Sequence, residues 1–459
     1  MSKPEQAPAP RAGPRPLPLH LLTALQSWSG SELGLTLWSS ASPSSNGAPS
    51  TSPASASPGP PPTEGPPPDA PPTDAQARAE AFRAVFAPLL AEIDAARARA
   101  GASDAGPLDD PFRQALRREV ARRLDRLAAG VQAYRAHPWF RTLDDPPVVW
   151  REGATVLRDV GSAIGIHCAA DATPVLVVPS LVNRWQVLDL APGRSFVRAL
   201  AGEGLRPYIV DWGTPDEAER DLDTAGCVMR LGRALAWLRA RAGKPLPVIG
   251  YCMGGTLVVG LAAHRPRDVS ALVALAAPWD FHADRAGQGL LVTTGPWLAE
   301  LAMRMGELPT DAIQALFWSL DPWLVVNKFQ RFAGMDMNSD AARDFVLLED
   351  WLNDGAPLPA LVARDCLVGW YGENTTGREQ WRIARRRVRP RDIAVPSLVV
   401  IPANDRIVPP ASAAALTGPG GLANATRLDL PLGHIGMMVG SRAIERCWRP
   451  VIDWLKANA

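Results

Sequence analysis

Apolar and polar positions alternate differently along three parts of the chain. Over residues 146–459, short apolar runs bounded by turn residues recur at 148–150, 155–159, 174–179, 205–211, 246–251, 269–276, 396–401 and 425–430. Helical spacing fills several of the intervals, notably 195–203 and 228–242, and a last helix is expected over 443–456. Strands alternating with helices predict an α/β fold whose mostly parallel sheet is covered on both faces. Residues 75–145 read as helical. Phe82, Val85, Phe86, Leu89 and Ile93 recur at helix spacing, and Phe112, Leu116, Val120, Leu124 and Val131 do so after a break at Gly106-Pro107. Their arginines are expected on a solvated face.

The interval 281–392 breaks the alternation. It is rich in Trp and Phe, among them Phe317, Trp318, Phe329, Phe332, Trp351 and Trp370, and shows no strand-helix rhythm. An insertion there lies between two strands of the body and is expected to cap the C-terminal edge of the sheet, where open α/β sheets hold their sites. Residues 1–74 are expected to be disordered: 1–16 and 40–74 are almost wholly Pro, Ala, Ser, Gly and Thr and cannot bury enough apolar surface to offset ordering entropy. Between them Leu21, Leu22, Leu25, Trp28, Leu33, Leu35 and Trp38 form an apolar island. It reads either as a docking segment for a partner or surface, or as a short helix packed back on the body.

Composition narrows the classes. The 459 residues carry 48 basic and 47 acidic side chains, a net charge of +1, which gives no global attraction for nucleic acid. The 5 cysteines, at 168, 227, 252, 366 and 447, are scattered and show no C-x-x-C spacing, so neither a disulfide framework nor a zinc site is expected. A reducing cytoplasm fits that usage. No apolar run is long enough for a membrane-spanning helix. The stretch 17–25 follows Arg11 and Arg15 in the manner of a signal peptide, but Pro18 and His20 interrupt it and export is discounted.

The chemistry concentrates in Val248-Ile249-Gly250-Tyr251-Cys252-Met253-Gly254-Gly255-Thr256. A short apolar strand, a tight bend carrying a thiol and the start of a helix make the context of a nucleophile elbow, G-x-S-x-G with Cys in place of Ser. The nucleophile of such a bend sits in a strained conformation, and Gly250 and Gly254 let strand and helix pass closely. The helix N-terminus favours negative charge on the sulfur. A thiol nucleophile needs a base and the base an orienting acid. Of the 6 histidines, His434 follows the final expected strand between Gly433 and Gly436 and is the candidate base. Asp405, in Ala403-Asn404-Asp405-Arg406-Ile407-Val408, is the candidate acid, with Asp280 the runner-up. The order 252, 405, 434 is that of α/β-hydrolases. The oxyanion is expected to be held by the backbone N–H of Met253 and by one from the loop 179–184, assigned to Val182 within a residue either way. The arginines of 382–391 suit an exposed edge strand shielded by charge, or the phosphates of a cofactor-linked substrate.

These residues resemble the polyhydroxyalkanoate synthases. GYCMGGT resembles that family's Cys-bearing lipase box, and the stretch from Val182-Asn183-Arg184 through Asp189-Leu190 to Arg194-Ser195-Phe196-Val197-Arg198 resembles the segment before it. NDRIVPP and GHIGMMVG resemble its acid and histidine segments, although Arg406 stands where the family often has His. The resemblance covers about 146–459 and is closest to the shorter synthases that work with a partner subunit. It implies an α/β-hydrolase fold with an inserted cap, a Cys252-His434-Asp405 triad, and polymerisation of 3-hydroxyacyl-CoA with no cofactor beyond the coenzyme A thioester. It further implies a cytoplasmic or granule-associated enzyme, with a polyester granule surface, a partner subunit or a second copy as its macromolecular contacts. A thioesterase, esterase or polyester depolymerase uses the same residues with water as acceptor, and an inactive granule-surface scaffold would use only the fold and the tail.

Overall fold

The computed structural model describes residues 11–24, 110–169, 171–284 and 289–458. The expected helix around 81–93 and the island beyond residue 24 lie outside the described residues. The strands are β1 (Val148–Glu152), β2 (Thr155–Asp159), β3 (Thr173–Val178), β4 (Leu205–Asp211), β5 (Leu246–Tyr251), β6 (Val269–Leu275), β7 (Ser397–Pro402) and β8 (Ala425–Leu430). They form one 8-stranded sheet in the order β1-β2-β4-β3-β5-β6-β7-β8. Pairing from β4 through β8 is parallel; β2 alone runs against its neighbours on both sides. The central strands are continuous apolar runs because helices cover both faces: every residue of β5 and of β7 is buried.

The helices that cover the sheet follow from their caps. The helix α1 (Thr224–Ala242) starts at Asp223, whose carboxylate accepts from the Gly226 N–H at 2.6 Å, and ends at Gly243 in the left-handed region at φ 69°. That start is four residues earlier than apolar spacing indicated, since Asp223 and not the periodicity fixes the first turn. After β5 comes α2 (Met253–His264), apolar on all sides and buried along its length. At the C-terminus the single expected helix is instead a π-helical stretch, Ile444–Trp448, running into an α-helix, Arg449–Asn458.

The interval between β6 and β7 is helical. Its helices are α3 (Gly289–Met305), α4 (Thr310–Leu320), α5 (Leu324–Phe332) and α6 (Asp340–Asn353), followed by Ala360–Arg364 and a π-helix over Asp365–Gly372. Aromatics hold them together: Phe332 and Phe345 stack at 4.2 Å, and Phe329 meets Phe345 edge-on at 5.3 Å. The arginine-rich return does not form an edge strand of the main sheet. Arg382–Ile383 pairs with Arg386–Arg387 in a separate two-residue hairpin. Trp381 and Ile383 are buried, and a Cβ on Gly260 of α2 would meet the Trp381 ring at 2.6 Å. Burial of these two apolar side chains on α2, rather than strand pairing, places the segment.

Residues 11–16, expected to be without fixed structure, are held instead. The Arg11 guanidinium grips both carboxylate oxygens of Asp350, at 2.6 and 2.8 Å, and also donates to the carbonyls of His137 and Trp139. Composition does not register a bidentate ion pair of this kind, whose partner lies 339 residues away. A short helix over 17–24 follows.

Candidate functional site

The C-terminal edge of the sheet gathers the residues that the sequence separates by up to 182 positions. Cys252 follows the last residue of β5 with φ 56° and ψ −127°, a conformation that a residue with a side chain rarely adopts. Its neighbours explain how the bend persists. A Cβ on Gly250 would lie 2.3 Å from the Gly254 carbonyl oxygen, and one on Gly254 would lie 2.2 Å from the Val178 oxygen at the end of β3. A Cβ on Gly255 would lie 2.3 Å from that of Ala277. The three glycines let α2 start against two strand ends, and the Cys252 N–H, bonded to the Leu275 carbonyl at 2.9 Å, fixes the turn to β6.

The base and acid come from the two loops beyond β8 and β7. His434 Nδ1 lies 2.6 Å from Asp405 Oδ2. The other oxygen, Asp405 Oδ1, accepts from the N–H groups of Ile407 and Val408 at 2.8 and 2.9 Å, so the carboxylate is aimed at the ring by its own loop. A carboxylate only accepts, so Nδ1 carries a proton. Cys252 lies near enough to the ring to favour its protonated form. Burial pulls the His434 pKa down, but the negative charge of Cys252 and the bond to Asp405 outweigh it and lift it to about 10. Asp280 serves elsewhere: its Oδ1 accepts from Asn374 Nδ2 at 2.8 Å and from the His282 N–H at 2.9 Å.

Of the two expected oxyanion donors, Met253 begins α2 immediately after the nucleophile. The Val182 N–H is engaged: it donates to Ser180 Oγ at 3.3 Å. The Ser180 hydroxyl closes the loop on itself, a contact that spacing does not reveal.

Two cavities, of about 500 and about 230 Å³, meet at this point. Met253 and Asp405 line the larger, whose other walls are apolar side chains of the insertion: Ile313 and Leu316 from α4, and Leu308 and Leu358, which pair in a short two-stranded sheet. Cys252 and His434 line the smaller, with Trp318 and Trp351 and the polar side chains of Arg15, His20, Lys328 and Glu349. Val182, Phe317, Leu320, Arg406 and Ile407 border both. Sequence reasoning missed several members of this site. Tyr251 donates to the His434 carbonyl at 3.2 Å beneath the ring, and Trp351 donates to the Arg184 carbonyl at 2.8 Å. Lys328 pairs with the buried Glu349 at 2.7 Å. None of these has a local pattern, because each meets its partner only through the fold. In the segment preceding the elbow, Arg198 and Arg141 converge on the wholly buried Asp189, at 2.7 and 3.2 Å, and so brace the body rather than the site.

Residues 173–302 match the family model of the alpha/beta hydrolase fold. The chain is 30% identical to the poly(3-hydroxyalkanoate) polymerase subunit PhaC of Synechocystis over 61% of its own length and 77% of that protein. It is 28% identical to the subunit of the same name from Allochromatium vinosum over 62% of this chain and 81% of that one. For the Haloferax mediterranei subunit the figures are 29% identity, 61% of this chain and 58% of the relative. An elbow Cys, a buried His-Asp pair on the following loops and these relatives together place the chain in the poly(3-hydroxyalkanoate) polymerase family, on an α/β-hydrolase fold.

Proposed function

We propose that the chain polymerises 3-hydroxyacyl groups from coenzyme A thioesters through an acyl intermediate on Cys252. The observation that carries this reading is the strained thiol of the elbow, lining one cavity with a His434 ring that Asp405 orients, where two cavities meet. Cys252 Sγ adds to the thioester carbonyl, whose π electrons move onto oxygen. The Met253 N–H and a second donor from the Val182 loop stabilise that oxyanion; Val182 serves once its N–H is released from Ser180. The tetrahedral adduct collapses and expels the coenzyme thiolate, which takes the proton from His434.

Acylation then changes the base. The Cys252 charge that held the proton on His434 is gone, so the imidazole pKa falls and the neutral ring is a base. It takes the proton of the 3-hydroxyl on a second acyl unit as that oxygen attacks the acyl carbonyl. Collapse forms the ester and returns Cys252 as thiolate beside imidazolium. A thioester intermediate retains enough energy to acylate an alcohol, which suits a Cys at this position. The chemistry calls on no bound cofactor, and the apolar walls of the larger cavity suit the acyl chain.

The test is turnover of the purified full chain on 3-hydroxybutyryl-CoA, with free coenzyme and chain products both followed. Coenzyme release accompanied by oligomer or polymer, reduced by about 10³-fold or more in Cys252→Ala, supports the reading. Release with free hydroxy acid as the sole product makes the protein a hydrolase and overturns it.

A further inference from the structure

The larger cavity carries a hydroxyl that the reaction as described leaves unused. Tyr371 lines it together with Met253. The residue stands on the π-helix Asp365–Gly372, and π-helical turns often sit at functional sites. It is half-buried. Its hydroxyl makes no hydrogen bond among the described residues and is not one of the polar atoms sealed off without a partner, so the oxygen keeps accessible surface. Other polar side chains of the cavity are engaged or open to water: Asp405 holds His434, Arg406 pairs with Asp321 at 3.2 Å, and Asp284 is exposed.

The Tyr371 ring is held in place. Phe281 meets it edge-on at 4.9 Å and stacks on Trp370 at 5.6 Å. The buried Asn374 accepts from the Phe281 N–H at 3.0 Å and donates to Asp280, which also accepts from the His282 N–H. His282 Nε2 donates in turn to the Tyr371 carbonyl at 3.0 Å. Asp280 thus helps to fix the tyrosine. Burial raises the Tyr371 pKa above its ordinary 10, and the charge of Cys252 raises it further. The hydroxyl therefore keeps its proton near neutral pH and can both donate and accept. The charge of Cys252 reaches it although no hydrogen bond joins the two among the described residues, a separation that leaves room for acyl atoms between them.

We propose that Tyr371 determines specificity for the 3-hydroxyl, its phenol hydrogen-bonding that group of the acyl unit carried by Cys252. The assignment rests on the proposed polymerase reading and deepens it. There the acyl carbonyl oxygen faces the Met253 N–H, next to the sulfur, and the 3-hydroxyl lies farther along the chain. A hydroxyl suits a partner that can donate and accept. An unsubstituted acyl chain would leave the phenol unpaired in an apolar cavity, and a site built for a hydroxyl rejects the analogue that lacks it.

The experiment compares acylation of Cys252 by 3-hydroxybutyryl-CoA and by butyryl-CoA, read as coenzyme released in a single turnover with the full chain in excess. Tyr371→Phe removes the hydroxyl and keeps the ring. Since that hydroxyl bonds nothing in the fold, the variant should melt with the unsubstituted chain. It is expected to lower the second-order acylation rate for 3-hydroxybutyryl-CoA about tenfold or more and to leave that for butyryl-CoA within about threefold. The ratio of the two rates is measured in one preparation, so a changed folded fraction cancels. An unchanged ratio overturns the proposal; an equal loss on both thioesters would make the phenol a donor to the carbonyl oxygen they share. If the unsubstituted chain is acylated but yields only free hydroxy acid, while the ratio still falls in Tyr371→Phe, the polymerase reading falls and the contact stands. Polymer formed with an unchanged ratio keeps that reading and removes the contact. Acylation by neither thioester overturns both.

Discussion

At the scale of single residues, the site depends on charges held out of water. His434 and Asp405 are both buried, and their bond is 2.6 Å. Burial alone would lower the ring's pKa below its ordinary 6.5; the charge of Cys252 and the bond to Asp405 reverse this and raise it to about 10. A histidine whose folded pKa lies above its unfolded one stabilises the fold fully below about pH 6.5, and the contribution disappears as pH rises through about 10. We therefore expect the melting temperatures of the native chain and of Asp405→Asn to differ most below pH 6.5. The pH-dependent part of that difference should vanish above pH 10. NMR of the His434 ring should show it protonated through neutrality, and a ring titrating near 6.5 would refute this. The identities of these residues were legible because the chain order of elbow, acid and histidine is fixed by the strands they follow. Ser180 on the Val182 N–H was not, since a bond two residues long inside a loop leaves no periodic trace.

At the scale of elements, the elbow is a packing problem solved by glycine. The backbone of α2 passes so close to β3 and β5 that a Cβ on Gly254 would lie 2.2 Å from the Val178 oxygen and 2.5 Å from that of Pro179. Real Cβ contacts do not occur at such distances, and backbone cannot swing aside as a side chain can. Gly254→Ala is expected to destabilise the chain by about 3 kcal/mol or more and to abolish turnover, whereas Gly193→Ala, where nothing lies within 4 Å, tests only the positive φ and should cost about 1 kcal/mol. Chemical denaturation of both variants checks this; similar losses would mean that crowding is not what Gly254 relieves. Strands and helices of the body were legible to within a few residues from alternation. The hairpin at Arg382–Ile383 and Arg386–Arg387 was misread as a sheet edge, because charge alternating with apolar residues reports a half-buried extended segment and not which surface buries it.

At the scale of the molecule, the insertion walls a cavity that reaches Met253 and Asp405. Leu308, Ile313 and Leu358 come from this insertion and face Met253 and Asp405 across about 500 Å³. Filling that space with Ile313→Trp should cut kcat/KM for 3-hydroxydecanoyl-CoA by about tenfold or more while changing that for 3-hydroxybutyryl-CoA by less than threefold, since each buried methylene is worth about 0.8 kcal/mol. Equal losses on both substrates would show that the acyl chain lies elsewhere. Among the described residues no helix is long and apolar enough to cross a membrane.

The sequence alone determined the layers of the body and the elbow, and singled out one sulfur, one imidazole and one carboxylate as candidates, because each follows from local rules: strand period, helix period and the steric demand for glycine beside a strained residue. Only the tertiary structure decided that Arg11 holds residues 11–16 against Asp350, that Asp280 binds Asn374 and not His434, and that His20 and Trp318 share a cavity with Cys252. Those contacts join positions tens to hundreds of residues apart, and their energies depend on burial and on the direction of single hydrogen bonds, which no local pattern encodes.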